Sequence, residues 1–511
     1  MYVLTAEEMR EADLRAIRDL KIPSLTLMEN AASRVAEILL RKNRIPSRTL
    51  IVCGKGNNGG DGLAVARLLK GSGWDVRALL IGRSDDLKAD PAENWARALA
   101  TSVPCSEDPD GLEIDRHLKE CDLIVDALFG TGLTKPLADT YSAVVQKINS
   151  SGKEVVSVDV PSGLSSDSGR LLGPAIKATA TVALAALKHC HILSPACKMC
   201  GEVYVVDIGI PAASTTGVVR SSDIRPLLQH RSMDSHKGTY GHAVIVGGSV
   251  GKSGAAYMSA KSALRCGAGL VTVACPARIQ PEIAAHGPEI MTLPAENLSD
   301  VVLFLMDKSA TAIGPGMGIS DEAKQLFQAV VTQFQGPLVI DADGLNHLAK
   351  DLTLLQPRKR SSTILTPHPG EMGRLLNTDT TSVQKDRPAM AGKLAMDTGA
   401  IVVLKGYRTI VAHPDGKHWI VLTGGPALAS AGTGDILTGI ITGFLSQGLK
   451  PIEAALAGVY LHGFTANLFE AKYPQQNLNA LDILDWWNEA VHLVRSGKDI
   501  EGEYVKIHFE F

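Results

Sequence analysis

Eight cysteines scattered over 511 residues are too few and too dispersed for a disulfide framework, and they read as small buried hydrophobes in a reducing compartment. A net charge of -3 supplies neither a basic field for nucleic acid nor a polybasic anchor for a membrane. No uninterrupted apolar run reaches membrane-spanning length. The opening stretch, MYVLTAEEMREADLRAI, is charged and helix-patterned where a signal peptide would carry an apolar core. A cytoplasmic protein that binds small molecules, with no nucleic-acid or membrane partner, is expected. One cluster, KHCHILSPACKMCG, gathers His189, Cys190, His191, Cys197 and Cys200. It holds a single CxxC and an alternating HCH where structural zinc sites bring two spaced pairs, so an irregular connection without bound metal is expected.

What is present is the composition of a well-packed α/β protein, with 45% hydrophobic residues, 21% charged residues and 49 glycines for tight turns. The length calls for more than one core, and two domains are expected. The first 43 residues read as amphipathic helices. Strands are expected at 49–53, 76–81, 123–127, 155–160, 181–186 and 203–208, alternating with helical stretches. Near-continuous Val, Ile, Leu and Ala in each strand predicts a parallel, doubly wound sheet covered on both faces, a Rossmann-like first domain. The Ser, Thr and Pro-rich stretch from residue 210 to 238 reads as a linker, which sets the domains at 1–220 and 221–511. A second alternation follows, with strands at 242–246, 270–274, 311–314, 338–341, 363–366 and 401–405.

GGSVGKSG, Gly247 to Gly254, follows an apolar strand and looks like a phosphate-binding P-loop. Counting back from Gly251-Lys252-Ser253 puts Val246 where the first glycine belongs, and a β-branched residue resists the positive φ of that turn. Another loop should hold a nucleotide. In the first half, GKGNNGGDG (54–62) sits between a strand and a helix, where close backbone approach and a helix N-terminus suit the phosphates of a dinucleotide. VDALFGTGL and VDVPSG end two further strands with Asp126, Asp159 and Ser162. Ligands lie beyond the carboxyl ends of parallel strands, so these loops should share one crevice. Asn58, Asp126 and Ser162 offer hard oxygens, suited to an alkali or alkaline-earth cation; each Asp is equally a turn cap. In the second half, AGTGDILTGIITGFL puts small residues before an apolar helix whose N-terminus can stabilise a transferring phosphoryl group. Asp435 there reads either as the helix N-cap or as a catalytic carboxylate.

MENAA (28–32), GKGNNGGDG, VDALFGTGL and VDVPSGL together resemble the NAD(P)HX epimerase domain. The resemblance implies a potassium ion on Asn58, Asp126 and Ser162. It also implies contact of the hydrated dinucleotide with Asn57, Asn58, Gly59, Gly60 and Asp61, with Gly130, Thr131, Gly132, Leu133, Thr134, Lys135 and Pro136, and with Asp159 as a catalytic group. From about residue 235, GHAVIVGGSVGKSGAA, IGPGMG, VIDADGLN, LTPHPGE, LKGYRTIV and GGPALASAGTGDILTGI resemble the ADP-dependent NAD(P)HX dehydratase, a ribokinase-like α/β group. That resemblance implies that Ala255, Gly318, His368 and Asp435 contact NADHX or NADPHX, with Asp435 catalytic. It further implies that Lys405, Gly406, Tyr407, Arg408, Thr409 and Gly434 hold the nucleotide, ADP or ATP, with Mg2+. GGSVGKSG would then line the substrate pocket. Together the halves imply a homo-oligomeric enzyme that epimerises hydrated nicotinamide cofactors and dehydrates the S form, giving AMP and phosphate. The alternatives are a ribokinase-like small-molecule kinase fused to a Rossmann module, and a nucleotide sensor without turnover.

Overall fold

The computed structural model describes residues 1–42 and 47–510 as two compact units, 1–214 together with the chain from 506, and 215–505. The N-terminal amphipathic pattern forms two helices, Ala6–Arg18 and Ser24–Lys42; residue 43 lies outside the described residues. Thr5 starts the first of them with a capping box, its hydroxyl accepting from Glu8 N while the Glu8 carboxylate accepts from Thr5 N.

The first unit carries an eight-stranded sheet, parallel at every pairing, in the order Cys105–Glu107, Asp75–Leu80, Arg48–Cys53, Leu123–Ala127, Glu154–Val158, Ala180–Leu184, Glu202–Val206, Ile507–Glu510. Alternate strand residues point into two cores. Ile51, Cys53 and Val125 pack with the Ser24–Lys42 and Asn57–Gly71 helices, and Leu50, Val52 and Ile124 pack with Asp139–Ser150. Strands buried on both faces explain their unbroken apolar runs. The strand order reverses between Arg48–Cys53 and Leu123–Ala127, so the loops after these two strands diverge and leave a crevice.

The second unit holds a ten-stranded sheet in the order Thr216–Val219, His418–Val421, Ile410–Ala412, Ile401–Leu404, Thr363–Leu365, Leu338–Ile340, Ala310–Ile313, His242–Val246, Leu270–Cys275, Met291–Pro294. Ile410–Ala412 is antiparallel to both its neighbours, and the other pairs are parallel. Its order reverses between His242–Val246 and Ala310–Ile313, beside the GGSVGKSG and IGPGMG loops. No helix among the described residues is long and apolar enough to cross a membrane.

Two features differ from the sequence reading of 1–220 and 221–511. The stretch read as a linker contains an edge strand, Thr216–Val219, which pairs with His418–Val421 and moves the division to 214/215. The C-terminal segment, which matches no motif, does not stay with the second unit. Ile507–Glu510 pairs in parallel with Glu202–Val206. His508 stacks on Tyr204 with ring centroids 4.6 Å apart, and Arg41 grips the Glu510 carboxylate through two guanidinium nitrogens at 3.0 and 2.5 Å. Four residues were too short a run to read as a strand until an edge was available to receive them.

Ile507 is 2% exposed. Ile507→Ala should destabilise the first unit by about 2–4 kcal/mol, seen as faster amide exchange in 202–206 and an earlier denaturant transition for that unit. An unmoved transition would mean that the strand contributes no stability.

Candidate functional site

The crevice of the first unit is a cavity of about 740 Å³. Its wall includes Asn57, Asn58 and Asp61 from the first turn of the Asn57–Gly71 helix, residues 130–133 after the next strand, and Asp159. Thr134, Lys135 and Pro136 lie outside this wall, as do Gly59 and Gly60. The glycines of GKGNNGGDG serve packing more than phosphate approach. A Cβ on Gly54 would lie 2.0 Å from the Leu128 carbonyl oxygen, and one on Gly59 would lie 1.9 Å from the Gly54 oxygen. A Cβ on Gly130 would come 3.2 Å from Asn58 Oδ1 and 3.4 Å from Asp159 Oδ2, so that glycine lets the loop pass beside two polar groups.

Asp159 has a left-handed backbone, φ 63°, and an elaborate support. Lys188, fully buried, donates to its Oδ1 and, at 2.6 Å, to the Leu184 carbonyl. The Leu184 N–H donates to the same Oδ1 at 3.2 Å. His191 accepts from Lys188 N on Nδ1 at 3.0 Å, so its Nε2–H donates to the Asp159 carbonyl at 2.8 Å. Burial, with the Lys188 charge beside it, holds His191 neutral, its pKa pushed down to about 4. The HCH cluster thus braces a carboxylate. Burial also pushes the Cys190 and Cys200 thiols up. Asp13, from the first helix, also faces the cavity; burial and the Asp159 charge raise it to about 6. Asp61 is pushed up by burial and by Asp159.

Asp126 and Ser162 meet beneath this wall. Ser162 Oγ donates to Asp126 Oδ1 at 2.6 Å, and Ser162 N and Ser157 Oγ donate to Oδ2 at 3.0 and 2.8 Å. All the groups bonded to this buried carboxylate are neutral, and burial raises its pKa. Nearby, Asn58 Nδ2 is buried with no hydrogen-bond partner. A buried carboxylate without a counter-charge, beside a serine hydroxyl, offers oxygens of the kind a weakly hydrated monovalent cation takes, whereas the orphaned Asn58 Nδ2 is a donor and contributes none.

In the second unit the GGSVGKSG loop packs on the IGPGMG loop: a Cβ on Gly247 would lie 2.3 Å from the Pro315 oxygen, and Ser249 Oγ donates to the Gly316 carbonyl at 2.8 Å. Val246 ends the buried strand, as its β-branch requires. Ala255 lies in the first turn of the Ser253–Cys266 helix, and Gly318 N donates to Asp343 Oδ2 at 2.9 Å, the same oxygen that Lys252 approaches at 3.3 Å. His368 caps the Pro369–Leu375 helix, its Nδ1 accepting from Gly370 N and Glu371 N while its own N–H donates to Glu371. Lys405 leaves its strand to meet Asp341 at 2.8 Å and stands 3.9 Å from Glu371. Burial alone would lower the Lys405 pKa, but Asp341 and Glu371 outweigh it and raise it. Asp341 is fixed from the other side by Thr438 Oγ1 at 2.7 Å. Arg387 holds the 404–407 turn through the Tyr407 and Leu404 carbonyls at 2.6 and 3.1 Å. Arg408 is buried with φ 58°, and Thr409 Oγ1 donates to the Gly406 carbonyl.

Asp435 is not the N-cap. Gly432, at φ 88°, occupies that position with no side-chain capping bond, and Asp435 is the third residue of the Thr433–Ser446 helix, in its first turn. A Cβ on Gly434 would lie 3.4 Å from Lys405 Nζ, so the lysine stands at this helix start. Burial, then the charge of Asp341, raises the Asp435 carboxyl to about 7 against the opposing pull of Lys405. Buried His462 supports the turn by donating from Nε2 to the Thr433 carbonyl at 3.0 Å. Sequence reasoning assigned no role to Asp13, Lys188, His191, Asp341, Glu371, Thr438 or Arg387. The available signal was a polar residue closing an apolar run, as in VIDAD.

A family model described as NAD(P)H-hydrate dehydratase matches residues 243–487, and one described as YjeF-related protein N-terminus matches 24–190. A bifunctional NAD(P)H-hydrate repair enzyme of Moorella thermoacetica is 40% identical over 508 residues, 95% of this chain and 96% of its own length. The Escherichia coli protein of the same description is 34% identical over 494 residues, 94% of this chain and 92% of its own. A solved ADP/ATP-dependent NAD(P)H-hydrate dehydratase from Bacillus subtilis, co-crystallised with ATP and Mg2+, is 32% identical and covers 55% of this chain and 100% of its own, at a TM-score of 0.48.

The raised Asp435 pKa has a consequence for stability. Between the unfolded carboxyl value near 4 and the folded value of about 7, the folded unit holds a proton that the unfolded chain has lost, so stability falls as pH rises through that window. Asp435→Asn should therefore stabilise the second unit at pH 8 by roughly 1–3 kcal/mol, with a gain that shrinks toward pH 5. Denaturant unfolding at the two pH values measures it, and destabilisation at pH 8 would contradict the assignment.

Proposed function

The chain belongs to the bifunctional NAD(P)H-hydrate repair enzymes, and from that premise we propose how its two crevices divide the work. It repairs NADHX and NADPHX, interconverting their R and S forms and dehydrating the S form to NAD(P)H at the expense of ADP, with AMP and phosphate released. We place epimerisation in the first unit and dehydration in the second.

The observation that carries the second assignment is Asp435, a carboxylate raised to about 7 at the start of a helix that no side chain caps. The hydroxyl of the hydrated ring is a poor nucleophile while protonated. Asp435 accepts its proton as the oxygen–phosphorus bond forms and the bond to the nucleotide breaks. The helix N-terminus at Gly434 and the Lys405 ammonium stabilise charge on the transferring group. Loss of phosphate together with a ring proton then restores the dihydronicotinamide. His368, Ala255 and Gly318 line the substrate side, and residues 405–409 the nucleotide side. Mg2+ arrives with the nucleotide and offsets phosphate charge.

Epimerisation requires the bond between the ring carbon and its hydroxyl to break and re-form on the other face. Asp13, raised to about 6 by burial and Asp159, is placed to pass a proton to the departing oxygen, and Asp159 Oδ2, beside Gly130, can take one from returning water. Lys188, paired to Oδ1, holds the Asp159 carboxylate in place. Asn58, Asp126 and Ser162 would hold a potassium ion, which would supply fixed positive charge next to an anionic ligand. A cytoplasmic, homo-oligomeric enzyme completes this reading.

Asp435→Asn should lower dehydratase turnover on the order of 10²-fold to 10⁴-fold, leave nucleotide affinity nearly unchanged and leave epimerisation untouched. In the native enzyme dehydratase kcat should rise with pH through about 7 and then level, because the base must be ionised. Turnover of the variant near the native value would send the search for the base elsewhere.

Asp126→Ala should lower epimerisation while dehydration of the pure S epimer continues. Equal loss of both activities would remove the case for a separate first-unit site.

A further inference from the structure

A second cleft of about 540 Å³ lies in the second unit, far from its catalytic loops. The Ser253–Cys266 and Thr433–Ser446 helices, 14 residues each, carry Ala255 and Asp435 in their first turns and end at this cleft, capped by Gly267 and Gln447. At about 1.5 Å per residue the two ends are some 20 Å apart. The cleft also lies by Tyr240, which precedes the His242–Val246 strand, at the amino ends of strands whose carboxyl ends carry the chemistry.

Three arginines line the cleft, and no aspartate or glutamate does. Arg231 donates to the Gly267 carbonyl at 2.6 Å and stacks over the Tyr240 ring at 4.1 Å. Arg265 donates through Nε to the Leu484 carbonyl at 3.0 Å, and Arg495 through Nη2 to the Gln229 carbonyl at 2.6 Å. Each guanidinium is thus anchored by one N–H, and none of the three is ion-paired to a carboxylate among the described residues. Their remaining donors form planar forks of the geometry that takes two oxygens of a phosphate at once. The floor is apolar: Phe444 and Trp487, 5% and 3% exposed, have ring centroids 6.0 Å apart. Three unopposed guanidiniums favour a dianion over a carboxylate, and the partly exposed Leu227, Leu264 and Val491 in front of the two buried rings favour an apolar group joined to it. The volume lies within the range of small-molecule sites.

We propose that this cleft binds a small organic phosphate with an apolar moiety, at a site separate from both reaction crevices. The proposal is independent of the residue roles assigned above, since none of its residues touches the catalytic loops.

The test is isothermal titration calorimetry of the full chain with phenyl phosphate, with inorganic phosphate as the comparison. Phenyl phosphate should bind once per chain, more tightly than inorganic phosphate, and should still bind when ADP is saturating. The double variant Arg231→Gln with Arg495→Gln should weaken it about tenfold or more while dehydratase turnover stays at the native value. Should that variant melt early, the exposed Arg231→Gln alone serves, with a smaller loss expected. Absence of binding, displacement by ADP, or equal affinity in the variants would overturn the proposal. So would a change in sedimentation showing that the same substitutions dissociate an oligomer, since the cleft would then be covered by a second copy.

Discussion

A parallel strand buried on both faces has no room for a polar side chain along most of its length, so its chemistry is pushed to the carboxyl end. Both units are organised by this constraint. Asp126, Asp159, Asp341 and Lys405 each close or immediately follow an apolar run, at the one place where a charged group can be buried and still reach a crevice. Where the strand order reverses, neighbouring loops part and the crevice opens.

The two sites solve the resulting problem of buried charge differently. In the first unit Asp159 is neutralised by a lysine from a segment nearly thirty residues on, and Asp126 is surrounded by neutral donors only. In the second unit four carboxylates, Asp341, Asp343, Glu371 and Asp435, act on one another around Lys405. One ammonium cannot compensate them all. Asp341, with the hydrogen bonds of Lys405 and Thr438, holds the lysine, and Asp435, with no such bond, is raised toward neutrality. The same packing that makes its ionised form costly makes it able to take a proton near neutral pH.

The chain's return to the first sheet adds a further constraint. Because Ile507–Glu510 supplies that sheet's edge strand, the segment between Glu202–Val206 and Ile507 is inserted within one sheet rather than appended to it. An edge strand needs few residues when a backbone ladder, a ring stack and an arginine fork already await it, which is why so short a tail is ordered.

The primary sequence by itself determined the two α/β halves, twelve of the strands to within a residue or two, and the loops that carry the chemistry, because apolar period and glycine clustering are local properties. It also argued against a P-loop at GGSVGKSG, since Val246 stands where that turn needs a glycine. Tertiary structure alone decided the rest. The edge strands Thr216–Val219 and Ile507–Glu510 exist only through pairing partners about two and three hundred residues away. KHCHILSPACKMCG read as an irregular connection, and only folding turned Lys188 and His191 onto Asp159. Asp435 could be cap or base in one dimension. In three, Gly432 occupies the cap, and burial, then the charge of Asp341 some ninety residues away, raises the carboxyl's proton affinity, which leaves no local trace in a sequence.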